Sequence, residues 1–483
     1  MNWGRIAPLG ALLAGCTVGP NYNRPEMGLP PTYAEPNSAE SLSDAQLASW
    51  WTAFGDPELN KLINRAIAQN LDVETAAARI REARAEERVA GASALPEVSA
   101  NGSVTHQRIS EHAIPVPPGT GEGSTGSFGL PGSEFTTFRV GFDASWEIDL
   151  FGKTRRQIEG ARARTGAAIW NRRDAQVSTS AEVASAYIAF RALQEQIALS
   201  QAEVERQRRS SHLVGARVRG GLVTGQDLEQ QNSEAAAAQA AIPPLRAEAA
   251  AQIHKIGVLV GDSPESLIAE LSPTGVSLPT PPSVPAGLPS DLLRRRPDIR
   301  AAERNLAAAT ADIGVATADL YPRFTLSAAP ALVSTALASL LEWGSRNFSG
   351  GAAIDWPIFN GGGTRANIDV KNAQQEQALI AYRKTILTAL QDVEDALSKI
   401  DNDRSEIGEL DSALRSASRA EGIARTRYTG GLVTYSDVLQ AQANRIALEN
   451  RLVETTSAEG RDTVALYKAL GGGWPDLAEA GSQ

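Results

Sequence analysis

One thiol offers itself for chemistry. Cys16 is the single cysteine in 483 residues, and it follows Leu13-Ala14-Gly15 at the end of a short apolar stretch from Ile6 to Ala14. Small residues before such a cysteine form the lipobox of a bacterial lipoprotein signal, in which the leader 1–15 is removed and Cys16 is acylated. Thr17 follows rather than Asp, which in Gram-negative lipoproteins directs the chain to the outer membrane. The other reactive side chains assemble no reaction centre. His106, His112, His212 and His254 lack metal-ligand spacing and the methionines are Met1 and Met27, so neither metal nor cofactor is expected. Gly121 to Gly126 has the spacing of a dinucleotide fingerprint but sits in a Pro/Gly-rich loop with no helix after it. Gly152-Lys153-Thr154 has Glu147 where a phosphate loop requires glycine. No nucleophile, base and orienting group come together, and we read no enzyme.

A second constellation is charged and occurs twice. Gly220 to Thr224, Gly-Gly-Leu-Val-Thr, recurs unchanged at Gly430 to Thr434, 210 positions later. Arg217 and Arg219 precede the first copy and Asp227 follows it; Arg427 and Tyr428 precede the second and Asp437 follows it. Cations suit a helix C-terminus, and Gly220, Gly221, Gly430 and Gly431 suit the left-handed cap that ends one. Thr224 with Asp227, and Thr434 with Asp437, fit the capping box that begins the next helix. Val223 with Leu228 and Val433 with Val438 occupy the hydrophobic staple positions. Each copy therefore reads as the tip of a helical hairpin.

The elements that present these tips follow from periodicity. Net charge is −10 and the pI about 5.2, with basic residues scattered among acidic ones, so nucleic acid is not a partner. Hydrophobic content is 42% with aromatics at 5%, an Ala-rich composition suited to long, closely packed helices. A tether from Cys16 leads to Trp50-Trp51 and Asp56-Pro57, and a helix is expected over Glu58–Leu95, ended by Pro96. From Glu97 the period becomes two. In the clearest run Phe138, Val140, Phe142, Ala144, Trp146 and Ile148 face one way, with Arg139, Asp143 and Glu147 the other; Ala352, Ile354, Trp356 and Ile358 repeat the pattern. Long strands with ions on one face alone match a membrane barrel, with Phe138, Val140, Phe142, Trp146, Ile354 and Trp356 toward lipid. No apolar run is long enough for a spanning helix, so any crossing is by barrel.

Helical pattern then runs from Lys153 to Arg219, about 66 residues or on the order of 100 Å. A shorter stretch runs to Gly261 with a kink at Pro243-Pro244, and a Pro-rich connector spans 262–296. Residues 58–261 form a first repeat and 297–470 a second, each helix, two strands, long helix, tip and helix; 16–57 is the tether with an equatorial segment and 471–483 a tail. Trp146 and Trp356, Thr154-Arg155 and Thr364-Arg365, and the two tips share the spacing of 210, whereas Val89-Ala90 and Val315-Ala316 are 226 apart. An insertion of about 16 residues therefore lies between the first pair of strands, in the loop at 107–134. The lengths suggest short helices stacked end to end beside each long one, a rod with strands at one end and tips at the other. Four strands cannot close a barrel, whereas three chains would pool twelve.

The chain resembles the TolC-like outer-membrane factors, specifically the lipoprotein channels of resistance-nodulation-division efflux systems. The resemblance rests on Leu13-Ala14-Gly15-Cys16 with Gly19-Pro20-Asn21-Tyr22, Trp50-Trp51 to Asp56-Pro57, Ser145 to Gly152, Arg295 to Glu303, Ile313-Gly314-Val315 and Tyr321-Pro322. It implies an α+β membrane protein, a homotrimer in which long α-helical hairpins form a periplasmic tunnel and four β-strands per chain contribute to a shared 12-stranded β-barrel. It also implies a periplasmic membrane-fusion adaptor at the tips, an inner-membrane resistance-nodulation-division pump behind it, and small toxic compounds as cargo. In the family charged contacts at the tips close the resting channel, which carries a gating role onto Arg217, Arg219, Asp227, Arg427, Tyr428 and Asp437 beside their capping roles. Gln440 stands where many relatives carry an acid, so the inner constriction is expected to be weaker or moved to Asp437. Two other functions fit less of the sequence: a channel for type I protein secretion, and a helical scaffold lipoprotein that does not conduct.

Overall fold

The computed structural model describes residues 17–35, 40, 42–110, 134–272 and 277–474. Cys16, the leader and the insertion loop beyond Ser110 lie outside them. The described chain divides into two units, one within Met1–Arg24, Glu82–Thr165 and Arg304–Leu379, the other within Pro25–Arg81, Gly166–Glu303 and Ile380–Gln483.

The first unit is built on four strands, β1 (Glu97–Arg108), β2 (Glu134–Ile148), β3 (Arg323–Ser334) and β4 (Arg346–Asp355), antiparallel in the order β1-β2-β3-β4. Opposed residues share a face of the sheet, so the register decides how side chains sort. Val104 pairs with Phe138, Ala100 with Phe142, Val140 with Leu332, Trp146 with Leu326, and Phe324 with Ile354, which joins the apolar residues of all four strands on one face. Ser99 with Asp143, Asn101 with Gly141, Glu147 with Thr325 and Arg323 with Asp355 form the other. Val104 is 68% exposed, Phe142 57% and Ile354 67%, so the apolar face packs on no core among the described residues. Trp356 lies just past β4 rather than in it, because Pro357 has no N–H to continue the ladder. The duplication survives in detail: Trp146 Nε1 donates to Ala94 O at 3.0 Å across 52 residues, and Trp356 Nε1 to Leu320 O at 3.0 Å across 36, a difference matching the expected insertion.

Thr17 to Tyr22, expected to be part of an extended tether, is held within this unit. Val18 N donates to Phe151 O at 3.1 Å. The buried guanidinium of Arg156 donates to Val18 O and Gly19 O, each at 3.3 Å, and to Asn21 Oδ1 at 2.7 Å. Gly19 has φ +85°, and a Cβ there would stand 2.5 Å from Gly314 Cα, so glycine is required on two counts.

Helices fill the remainder. The first expected helix is two, α1 (Pro57–Gln69) and α2 (Leu71–Ala92), divided at Asn70. The Asn70 Oδ1 accepts from Asp72 N at 2.9 Å and Val73 N at 3.1 Å, capping α2, while Nδ2 donates to Leu259 O at 2.9 Å. The long helix α3 (Lys153–Arg219) has 67 residues and is unbroken. The stretch after the first tip is divided at Ala241 into α4 (Gly225–Ala240) and α5 (Ile242–Leu259), with Pro243 and Pro244 in the first turn of α5, where a missing N–H does no harm. The connector is not bare: it carries short helices at Ile268–Leu271 and Pro289–Arg295. Then come α6 (Pro297–Ala318), α7 (Gly363–Thr429), again 67 residues, and α8 (Tyr435–Ala469).

The second unit has an aromatic core that sequence patterns left scattered. Trp50 stacks on Tyr467 with centroids 5.0 Å apart. Trp474, placed by sequence in a tail, is 1% exposed and meets Trp170 edge-on at 5.6 Å, so the chain is structured to at least that residue. Asp56 caps α1 through Glu58 N at 2.8 Å and accepts from the buried Tyr187 hydroxyl at 2.8 Å.

Candidate functional site

Each repeated motif is a helix stop followed by a helix start. Leu222 N donates to Arg217 O and Leu432 N to Arg427 O, both at 2.9 Å, closing the last turns of α3 and α7. Of each glycine pair the second takes the left-handed conformation, Gly221 at φ +68° and Gly431 at +74°. Gly220 and Gly430 stay in the ordinary range, each donating back to the preceding turn at 3.1 Å. Both capping boxes form. Thr224 N and Oγ1 each donate to Asp227 Oδ2 at 3.1 Å; Thr434 N and Oγ1 donate to Asp437 Oδ2 at 2.8 and 2.7 Å. Donation from the Thr434 hydroxyl, then from its backbone, holds the Asp437 carboxyl below its ordinary range.

The two tips are packed on each other. Val214, Tyr435, Val438 and Leu439 form a buried cluster joined by Val218, Val223, Leu228, Ala424 and Tyr428, drawing on both copies of the motif. Across it, Arg217 Nη2 donates to Thr429 O at 3.2 Å and its guanidinium lies 5.1 Å from the Tyr428 ring centre, a cation–π distance. Tyr428 meets Tyr435 at 5.0 Å, and Tyr435 shares a hydrogen bond with Ser210 at 2.9 Å. Burial pushes the Tyr435 hydroxyl pKa up.

Of the six charged or tyrosyl candidates, the structure joins Arg217 to Tyr428 and commits Asp227 and Asp437 to their own threonines. Arg219 and Arg427 are exposed and make no ion pair among the described residues. On the sheet, Phe138, Val140, Phe142, Trp146 and Ile354 share the apolar face by register, and Trp356 follows beyond the strand end. Among the described residues no helix is long and apolar enough to cross a membrane, and no three acidic, His or Cys side chains are arranged to hold a metal ion.

Sequence reasoning missed a buried polar cluster behind the tips. Arg445 on α8 donates from Nε to Glu421 on α7 at 2.5 Å, from Nη2 to Glu203 on α3 at 3.0 Å, and pairs through Nη1 with Glu449 at 2.5 Å. Its signal was present, since Gln442 and Arg445 interrupt the helical stripe of Tyr435, Val438, Leu439 and Val453.

Comparison with known proteins agrees with this architecture. The outer membrane efflux protein family matches residues 62–261 and 288–472. The chain is 34% identical over 439 residues to the pyoverdine export outer membrane protein OpmQ of Pseudomonas aeruginosa, covering 90% of each chain. It is 31% identical to nodulation protein T of Rhizobium leguminosarum bv. trifolii, with 97% of each covered. Among solved structures the outer-membrane channel OprN superposes with a TM-score of 0.85 at 32% identity, over 95% of this chain and 100% of that one.

Proposed function

The chain belongs to the outer membrane efflux protein family, and from that premise we propose how its own residues build and close a channel. It is the outer-membrane channel of a tripartite efflux pump. Three copies close one barrel. In a four-stranded antiparallel sheet the first and last strands run oppositely, so β4 of a second copy beside β1 continues the pattern, and three copies leave no free edge. The unburied apolar face joined across all four strands is the observation that carries this reading: it faces lipid, while Arg139, Asp143, Glu147, Arg323 and Asp355 face a watery lumen. A scaffold that does not conduct has no use for such a face. Acylated Cys16 adds an anchor to a barrel that already holds the protein in the outer membrane.

The tips form the periplasmic mouth. Within each chain Arg217 ties one hairpin to the other through Thr429 and Tyr428. Between chains, Asp227 and Asp437 bring like charges toward a common axis and favour cations there. Leu222 and Leu432, exposed on polar turns, give a periplasmic adaptor an apolar contact, and the adaptor delivers small toxic compounds from an inner-membrane resistance-nodulation-division pump. Planar-bilayer recording of the purified full-length protein tests this. The parent is expected to show a small resting conductance and Arg217→Ala a larger one. A trimer that inserts and never conducts, even with Asp227→Ala and Asp437→Ala added, sinks the conduit reading.

A further inference from the structure

We infer that Arg445 is a positioning residue for the mouth: its guanidinium holds the hairpin of α7 and α8 against α3 so that the two tips keep one mutual register. The inference rests on the reading of the tips as that mouth. Arg445, Glu203 and Glu421 are all buried, and the cluster reaches every helix beneath the tips. Glu203 also accepts from Arg206 at 2.8 Å and Gln207 at 2.5 Å; Gln231 on α4 donates to Gln207 Oε1 at 2.6 Å; Gln442 donates to Glu421 at 3.4 Å. Thus one cation links three helices of the two repeats, and the fourth joins through amides.

A buried ion pair contributes little net stability, because desolvation offsets attraction, but removing Arg445 leaves the buried Glu421 with the Gln442 amide at 3.4 Å in place of a cation, while Glu203 keeps Arg206. That asymmetry penalises sliding or rotation of α8 against α3 more than any apolar contact would, since apolar contacts are non-directional. Guanidinium keeps its charge at every relevant pH, so the constraint is not titrated away. Arg445 lies 11 residues past the Thr434 cap, about 16 Å along the axis. The apolar cluster of Val214, Tyr435, Val438 and Leu439 fills the interval and transmits the register to Arg217 and Thr429. The equivalent site in the first hairpin is exposed and carries no such charges. At the positions 210 earlier, Arg445 corresponds to Ala235, Glu421 to Ser211 and Gln442 to Asn232, and there Ser211 donates to Asn232 Oδ1 at 2.9 Å. A neutral pair completes the equivalent contact in the first hairpin.

The test places a spin label at Leu432→Cys in the full-length trimer, where threefold symmetry gives one distance across the mouth. The parent is expected to give a narrow distribution, Arg445→Met a broad one and Arg445→Lys an intermediate one. An unchanged distribution in an intact Arg445→Met trimer overturns the inference. Should that variant fail to fold because its acids are stranded, the neutral set Arg445→Met, Glu203→Gln and Glu421→Gln replaces it; a broad distribution then upholds positioning and a narrow one reduces Arg445 to charge balance and overturns it. Open probability in bilayers should rise about tenfold with the broadening, the effect of one lost charge-assisted hydrogen bond. Broadening with unchanged conductance upholds the positioning of the tips and refutes their reading as the gate.

Discussion

Val140→Arg tests the sidedness of the sheet. Val140 pairs with Gly102 on one side and Leu332 on the other, on the apolar face and one residue from the centre of the 15-residue β2. On the proposed barrel a tilted strand of that length spans the hydrocarbon and Val140 would lie near the midplane, where an outward Arg destabilises a barrel by about 2–4 kcal/mol. That is roughly 30- to 900-fold in the folding equilibrium per chain. If the three sites act independently, the trimer loses roughly 6–12 kcal/mol, comparable with a whole domain's stability. Ser103→Arg is the control, because Ser103 pairs with Arg139 on the opposite face at nearly the same depth. Urea titration of protein refolded into liposomes, with the heat-modifiable trimer band as a second readout, measures both. Val140→Arg is expected to shift the transition by that amount or fail to insert, and Ser103→Arg to shift it by less than about 1 kcal/mol. Equal effects, or the larger one at Ser103, would refute the assignment of the apolar face to lipid.

Other predictions follow from individual contacts. Gly19→Ala puts a Cβ 2.5 Å from Gly314 Cα at a positive φ, and should free Thr17 to Tyr22 for proteolysis, whereas Gly28→Ala, with open space around it, should not. Asn70→Ala removes the cap of α2 and a donor to Leu259 O, lowering stability by about 0.5–2 kcal/mol in thermal melts. Asp403 is raised to about 6 by burial and then by Asp462, with Glu406 and Glu459 adding to it and with Arg404 and Arg451 engaged by Glu459 and Glu406. A raised acid binds its proton more tightly when folded, so its contribution is full below the ordinary value of 3.8 and is lost as pH rises through about 6. Asp403→Asn should accordingly melt near the parent at pH 4 and above it at pH 7, and a gain that shrank with rising pH would contradict the assignment. Asp437 has the opposite sign: its stabilisation of the tip is present above the ordinary carboxylate range and lost as pH falls through its lowered value. Thr434→Val should return the Asp437 titration, followed by NMR, toward that ordinary range.

What was legible in the sequence was local or periodic. The tips were readable because a capping box spans four residues and a left-handed glycine lies just before it. The strands were readable because alternation reports a face directly, and the repeat supplied a second copy of each signal. What escaped depends on partners far along the chain. Asn70 divides the first helix while its amide is held by Leu259, 189 residues away. Gly19 is needed because Gly314 crosses it, and nothing near Gly19 announces that. Trp474 follows three glycines and reads as a tail until Trp170 is found beside it. Arg445 belongs to both classes: its interruption of an apolar stripe is local, but its meaning lies in Glu203, 242 residues distant.

Where equivalent residues differ between the repeats, the difference marks what each must meet. Gly152 and Gly362 occupy the same elbow and share its positive φ, yet a Cβ at Gly152 would strike Thr17 at 2.6 Å while Gly362 has nothing within 4 Å. Arg156, which clasps the N-terminal segment, corresponds to Ala366, and Gly314, which that segment crosses, corresponds to Arg88. Among the described residues, therefore, one elbow holds the N-terminal segment and the equivalent elbow has no such cover. The long helices diverge likewise. Trp170 and Val177 of α3 are buried, whereas their equivalents Ile380 and Leu387 of α7 are each more than half exposed; Val183 and its equivalent Val393 are both buried. Apolar side chains at that exposure on a helix of this length demand a partner surface, and the open edge of β4, which leads into α7, demands one as well. Both demands fall on one stretch of sequence, and the proposed trimer would supply a neighbouring copy for each. On the trimer proposed above, the departures of the duplication from symmetry would leave the exposed residues of α7 for a neighbouring copy.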